Sequence, residues 1–214
     1  MTMTLLLTIK RIRAVFTVLL LIPFFCFANV AVEQTGELRK WHKVTLTFDG
    51  PQVSENDEKN PFITYRLNVE FTHIKTGKNY LVPGFFAADG NAAQTSASSG
   101  NKWRVHFTPD EIGEWQWQVS FRQGNFVAVS TLKHSGVSAK FMDQQRGAFT
   151  ISNNNKKAPD FRAKGRLKYV NQPYLQFAET QEYFLKSGPD APENLLSYVD
   201  FDGTFHNDGH KDDL

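Results

Sequence analysis

The residues with the plainest capacity for chemistry lie near the C-terminus of this 214-residue chain, in Val199-Asp200-Phe201-Asp202-Gly203-Thr204. An Asp-x-Asp-Gly-Thr run after an apolar strand resembles a phosphatase nucleophile motif, and that resemblance would imply that the first Asp attacks phosphorus and the second handles the leaving-group proton beside magnesium. That chemistry needs a doubly wound α/β domain around the motif. Only ten residues follow Thr204, and strand patterns precede it. The same run fails as a calcium loop, because Asp200 and Asp202 at its first and third positions require glycine at the sixth, where Phe205 stands. His206 and His210, with Asp208 and Asp212 nearby, would share a helix face, but Gly209 opposes the helix. A solvated polar tail is the expectation, with no metal, no cofactor and no catalytic residue assigned.

Periodicity is far stronger upstream. In Lys102–Thr108, Trp103, Val105 and Phe107 fall on one face. In Glu114–Arg122, Trp115, Trp117, Val119 and Phe121 do the same. A period of two marks half-buried strands. Pro109-Asp110-Glu111-Ile112-Gly113 between them has the composition of a short hairpin loop. Trp41–Phe48, Ile63–Phe71, Tyr80–Val82 and Gly147–Ile151 read as further strands, and Arg166–Val170 pairs with Tyr174–Ala178 across Asn171-Gln172-Pro173. Gln123–Gly136 reads as weaker strands, with Val127 and Val129 in phase, and the small-residue stretch Gly84–Asn101 as a surface loop. No stretch carries a helical period. The expected class is all-β, an antiparallel β-sandwich, with Trp103, Trp115 and Trp117 in its core. Trp41, Tyr80, Phe85 and Phe86 lie outside clean alternation and are the candidates for contact with a glycan or another domain.

The N-terminus reads as an address. Lys10, Arg11 and Arg13 precede the apolar run Ala14–Phe27, and Cys26-Phe27-Ala28 offers a small-residue cleavage site. The expectation is a signal peptide over 1–28 and a secreted or periplasmic product, with no membrane attachment after cleavage. The only cysteine, Cys26, lies inside that segment, so the mature chain has no disulfide. The formal charge of +2 includes those three basic residues; without them 21 basic side chains face 22 acidic ones, a net −1. Nothing in that balance points to nucleic acid.

Three long phrases carry a resemblance: Trp103–Phe121, the run from Tyr80-Leu81-Val82-Pro83-Gly84 to Asn91, and Asp160-Phe161-Arg162-Ala163-Lys164-Gly165-Arg166-Leu167. Together they resemble the domain of unknown function 5060 family. The resemblance implies an immunoglobulin-like β-sandwich that precedes a (β/α)8-barrel of glycoside hydrolase type in secreted bacterial proteins. On that basis 29–40 is a lead-in, 41–181 the sandwich, and 182–214 an incomplete first strand and loop of the barrel, as if truncated.

The resemblance offers Asp190, Glu193 and Asn194 a place at the substrate edge of the barrel in an intact relative, against the plainer expectation that they only order their loop. Glycoside hydrolysis needs two carboxyls about 5–5.5 Å apart for retention or about 6.5–9.5 Å for inversion, and one strand and loop cannot fix such distances. The expected role is therefore a non-catalytic accessory module, with the barrel as partner and polysaccharide as a possible ligand. The alternatives are an independent carbohydrate-binding module and the N-terminal piece of a split hydrolase.

Overall fold

A computed structural model describes residues 32–186. The expected signal peptide, together with Asp190, Glu193, Asn194 and the rest of the 187–214 tail, lies outside the described residues. In chain order the strands are β1 (Val32–Thr35), β2 (Val44–Ser54), β3 (Tyr65–His73), β4 (Asn79–Pro83), β5 (Phe85–Phe86), β6 (Ser99–Phe107), β7 (Gly113–Gln123), β8 (Val137–Ser138), β9 (Arg146–Ile151), β10 (Leu167–Lys168), β11 (Leu175–Phe177) and β12 (Tyr183–Phe184). Two single-turn α-helices, α1 (Pro61–Thr64) and α2 (Ala92–Thr95), interrupt them. Among the described residues no helix is long and apolar enough to cross a membrane.

The strands form antiparallel sheets. One has the order β1-β2-β6-β5; a second has the order β4-β3-β7-β8, with β9 also on β7. Alternation decides which side chains meet. Val44, Leu46 and Phe48 of β2 and Trp103, Val105 and Phe107 of β6 are buried, as are Leu67, Val69 and Phe71 of β3 and Trp115, Trp117, Val119 and Phe121 of β7. The two inner faces touch through rings: Phe71 stacks on Phe107 at 4.1 Å, and Trp103 meets Phe121 edge-on at 4.8 Å. Each such side chain contributes about 1.5–3 kcal/mol on burial, which makes this layer the main source of stability in a fold without disulfides.

Lys102–Phe121 is not a hairpin. β6 pairs with β2 and β5, whereas β7 pairs with β3, β8 and β9. The Pro109–Ile112 connection therefore arches from one sheet to the other. A hairpin would set the two aromatic faces side by side in one layer. The arch sets them opposite, so that Phe107 meets Trp115 at 5.0 Å. The arch is tied from within, since the Trp115 indole Nε1–H donates to the Glu111 carbonyl at 3.1 Å.

Three other expectations change. The 29–40 lead-in contains β1, whose Val32 pairs with Phe48 at the edge of the first sheet. Val127–Val129 is a single 3-10 turn rather than strand; its Val127 is buried and its Val129 exposed. The stretch 84–101 carries β5, α2 and the first residues of β6, because Phe86 has a core to enter against Trp103. α2 itself has no fully buried residue, and only its Ala92 packs against the core.

Beyond the sandwich layers, β10, β11 and β12 make a small antiparallel sheet in which Leu167 pairs with Phe177 and Leu175 with Phe184. The pairing across 171–173 agrees with the sequence pattern.

Candidate functional site

The contact candidates fall in two places. Phe85 and Phe86 are neighbours on edge strand β5 with opposite fates. Phe86 is buried between Trp103 and Phe62, while Phe85 is exposed and lies 5.3 Å from the His106 ring on the outer face of the first sheet. Burial and the nearby Lys43 and Arg104 cations hold the His106 imidazole below its ordinary range.

Trp41 and Tyr80 belong to a second place, the end of the sandwich where residues 160–182 lie against it. Trp41 sits at φ +66°, and its backbone N–H donates to the Pro109 carbonyl at 2.9 Å. Its ring is buried, not displayed. One edge of that ring faces Gly165, where an added Cβ would come within 3.0 Å of Cε2. The indole Nε1–H donates to Glu179 Oε2 at 2.9 Å, and Lys40 Nζ reaches the same oxygen at 2.7 Å. The Lys40 ammonium, with help from the Trp41 N–H, holds the Glu179 carboxyl below its usual range.

Tyr80 is the centre of the other half of the junction. Its ring packs against Phe107 and Trp115 of the core, and its hydroxyl donates to Asp110 Oδ2 at 2.6 Å. The same oxygen accepts from Lys78 Nζ at 3.1 Å and lies 3.3 Å from Arg166 Nη2. Arg166 also stands 5.7 Å above the Tyr80 ring, a cation–π distance, and donates to the phenol oxygen at 3.3 Å. Burial, then the bond to Asp110, pushes the Tyr80 hydroxyl above its ordinary pKa. Bonds to Glu111 and Asp110 raise the Lys78 ammonium.

This arrangement holds parts together. Asp110 is buried and its Oδ2 is shared among Tyr80, Lys78 and Arg166, three donors from two separate stretches of chain. Among the described residues no group of three or more His, Cys, Asp or Glu side chains is placed to hold a metal ion. Sequence reading found Trp41 and Tyr80 but missed Asp110, which it gave to a turn, and Arg166 and Glu179. Their only local signal is a lone charge in a loop, and their partners are distant in sequence.

Residues 37–122 match the sequence model of a family described as domain of unknown function (DUF5060). That span runs from before Trp41 through β7, so it contains both inner faces and the Asp110 arch. No curated protein matches the chain. Among solved structures, a "putative glycoside hydrolase" from Bacteroides vulgatus is similar over 68% of this chain, with 20% identity and a TM-score of 0.43. This chain spans about a fifth of that protein, 21% of its length.

Proposed function

We propose that this chain is the accessory module of a secreted polysaccharide-degrading glycoside hydrolase: an immunoglobulin-like sandwich that fixes the direction in which a catalytic (β/α)8-barrel leaves it. The observation that carries this reading is the double lock at the sandwich end. Trp41 with Lys40 grips Glu179, and Asp110 with Tyr80 grips Arg166. Both gripped residues flank β10 and β11, whose sheet also takes in β12 at the start of the region that resembles a barrel. The family match over 37–122 and the wider resemblance supply the context. On this reading Trp41 and Tyr80 are domain contacts, Asp190, Glu193 and Asn194 belong to the barrel's substrate edge, and export follows from the N-terminal signal.

Hydrogen exchange on the full chain tests the lock. Amides of 166–184 should be protected in the native protein and lose that protection selectively when Trp41→Ala or Arg166→Ala is introduced. Unchanged protection in both variants overturns the reading. So does release of reducing sugar from a polysaccharide panel by the chain alone, which should be silent.

A further inference from the structure

The outer face of the second sheet is recessed at one end, and the recess has a definite chemistry. Outward residues alternate along β7 as Glu114, Gln116, Gln118, Ser120 and Arg122. The first two are exposed, whereas Gln118, Ser120 and Arg122 are half-buried. The difference comes from the segment after β7, which folds back and walls a groove of about 870 Å³ over β3, β4 and β7.

Arg66 and Arg122 lie directly opposite each other in the β3–β7 register. Like charges at such a pair destabilise a sheet, and among the described residues neither arginine has a carboxylate partner. Backbone carbonyls hold them instead. Arg66 donates to Ser130 at 2.6 Å and to Lys133 at 3.0 Å, and Arg122 donates to Gly136. Carbonyls orient a guanidinium without neutralising it. Arg66 Nε, moreover, is buried with no partner. Lys133 adds a third cation to the lining.

Away from the arginines the floor changes character. Asn68 pairs with Ser120, and Glu70 with Gln118. Glu70 Oε1 accepts from Asn79 at 2.7 Å, and Gln118 donates to Gln144 at 3.0 Å. Amides, a hydroxyl and one carboxylate make a floor suited to hydroxyl groups. A uniform polyanion such as a nucleic acid would meet Glu70 at the end of the floor away from the arginines.

We infer that this groove binds an acidic oligosaccharide, with a uronate carboxylate at the Arg66–Arg122 end and sugar hydroxyls over Asn68, Ser120 and Gln118. Counting the further bonds to Leu132, Ser135 and His134, each guanidinium keeps an Nη1 hydrogen to donate to a carboxylate oxygen. The groove lies at the far end of β7 from Asp110, so this inference does not rest on the positioning role.

The test is calorimetric titration of the full chain with a short oligouronate and with the neutral oligosaccharide of equal length. The uronate should bind saturably, and at least about tenfold more tightly than the neutral sugar, a difference of about 1.4 kcal/mol. Ser120→Leu fills the floor and leaves both arginines in the chain. It should weaken uronate binding by about tenfold or more while leaving the thermal midpoint unchanged. Arg122→Gln should abolish the preference for the acidic sugar. Absence of uronate binding, equal affinity for both sugars, or binding that survives Ser120→Leu each overturns the proposal.

Discussion

The phenol of Tyr80 and the carboxylate of Asp110 are thirty residues apart in the chain and 2.6 Å apart in space. The bond ties β4, in the second sheet, to the arch that carries the chain between sheets, and Arg166 caps it from outside. A single carboxylate thus joins the core aromatic layer to the C-terminal segment.

Removing the hydroxyl with Tyr80→Phe should cost about 1 kcal/mol, the usual net worth of one hydrogen bond, with the ring packing kept. The pH response is the sharper readout. A phenol whose folded pKa is raised binds its proton more tightly folded than unfolded. Its contribution is intact below pH 10.0, the ordinary value, and is lost as pH rises through the folded pKa. Lys78, raised above 10.5, acts in the same direction. Denaturation midpoints should fall above pH 10 in the native chain, and less steeply in Tyr80→Phe.

Asp110→Ala removes the shared acceptor and leaves Lys78 and Arg166 without it. Loss of one partner of a fully buried pair costs about 3–5 kcal/mol, but both cations here reach solvent, so about 1–2 kcal/mol is expected. Urea denaturation measures it. The variant should also loosen 166–184 before the core opens, seen as early exchange of those amides.

Two glycines admit tryptophan rings to the core. Gly147 lies opposite Trp117 in the β7–β9 register, and a Cβ on it would come within 2.3 Å of Cζ2. A Cβ on Gly50 would lie 2.4 Å from Trp103 Cδ1. Neither indole has room to retreat, since Trp117 abuts Phe48 and Trp103 abuts Phe121. Gly147→Ala and Gly50→Ala should each destabilise by about 1–3 kcal/mol and alter the near-ultraviolet dichroism of the tryptophans. Gly77, at φ +69° with open space around it, provides the control. Gly77→Ala should cost about 1–2 kcal/mol through backbone strain alone, with the aromatic spectrum unchanged.

Strand identity and inward faces were legible because period-two alternation is local: Trp103, Val105 and Phe107 announce their face without any neighbour. Pairing was legible only where a short turn joins two strands, as across 171–173; between the strands of the two larger sheets it was not. Pro109–Gly113 has hairpin composition, yet the choice between hairpin and arch depends on whether two aromatic faces share a layer or oppose one another. That is a tertiary matter. The same limit hid Asp110, whose three partners come from Lys78, Tyr80 and Arg166. Trp41 was legible as irregular, but its burial depends on Gly165 and Glu179, more than a hundred residues later. The arginine pair of the groove was invisible for a related reason, since Arg66 and Arg122 become neighbours only through the β3–β7 register.

The Trp41–Glu179 bond gives a spectroscopic handle on the junction. Lys40, and then the indole N–H, hold the Glu179 carboxyl below its ordinary 4.5. A carboxyl whose folded pKa is depressed stabilises the fold above its unfolded pKa and loses that contribution as pH falls through the folded one. The indole N–H resonance of Trp41 should therefore titrate below pH 4.5, in step with weaker protection of 164–179. Glu179→Gln retains an acceptor for the indole but removes the charge that pairs with Lys40. In that variant the resonance should stay flat through acid, and protection should sit at the acid level at every pH. A titration that persists in Glu179→Gln would assign the proton to another group and break the link between Trp41 and the C-terminal segment.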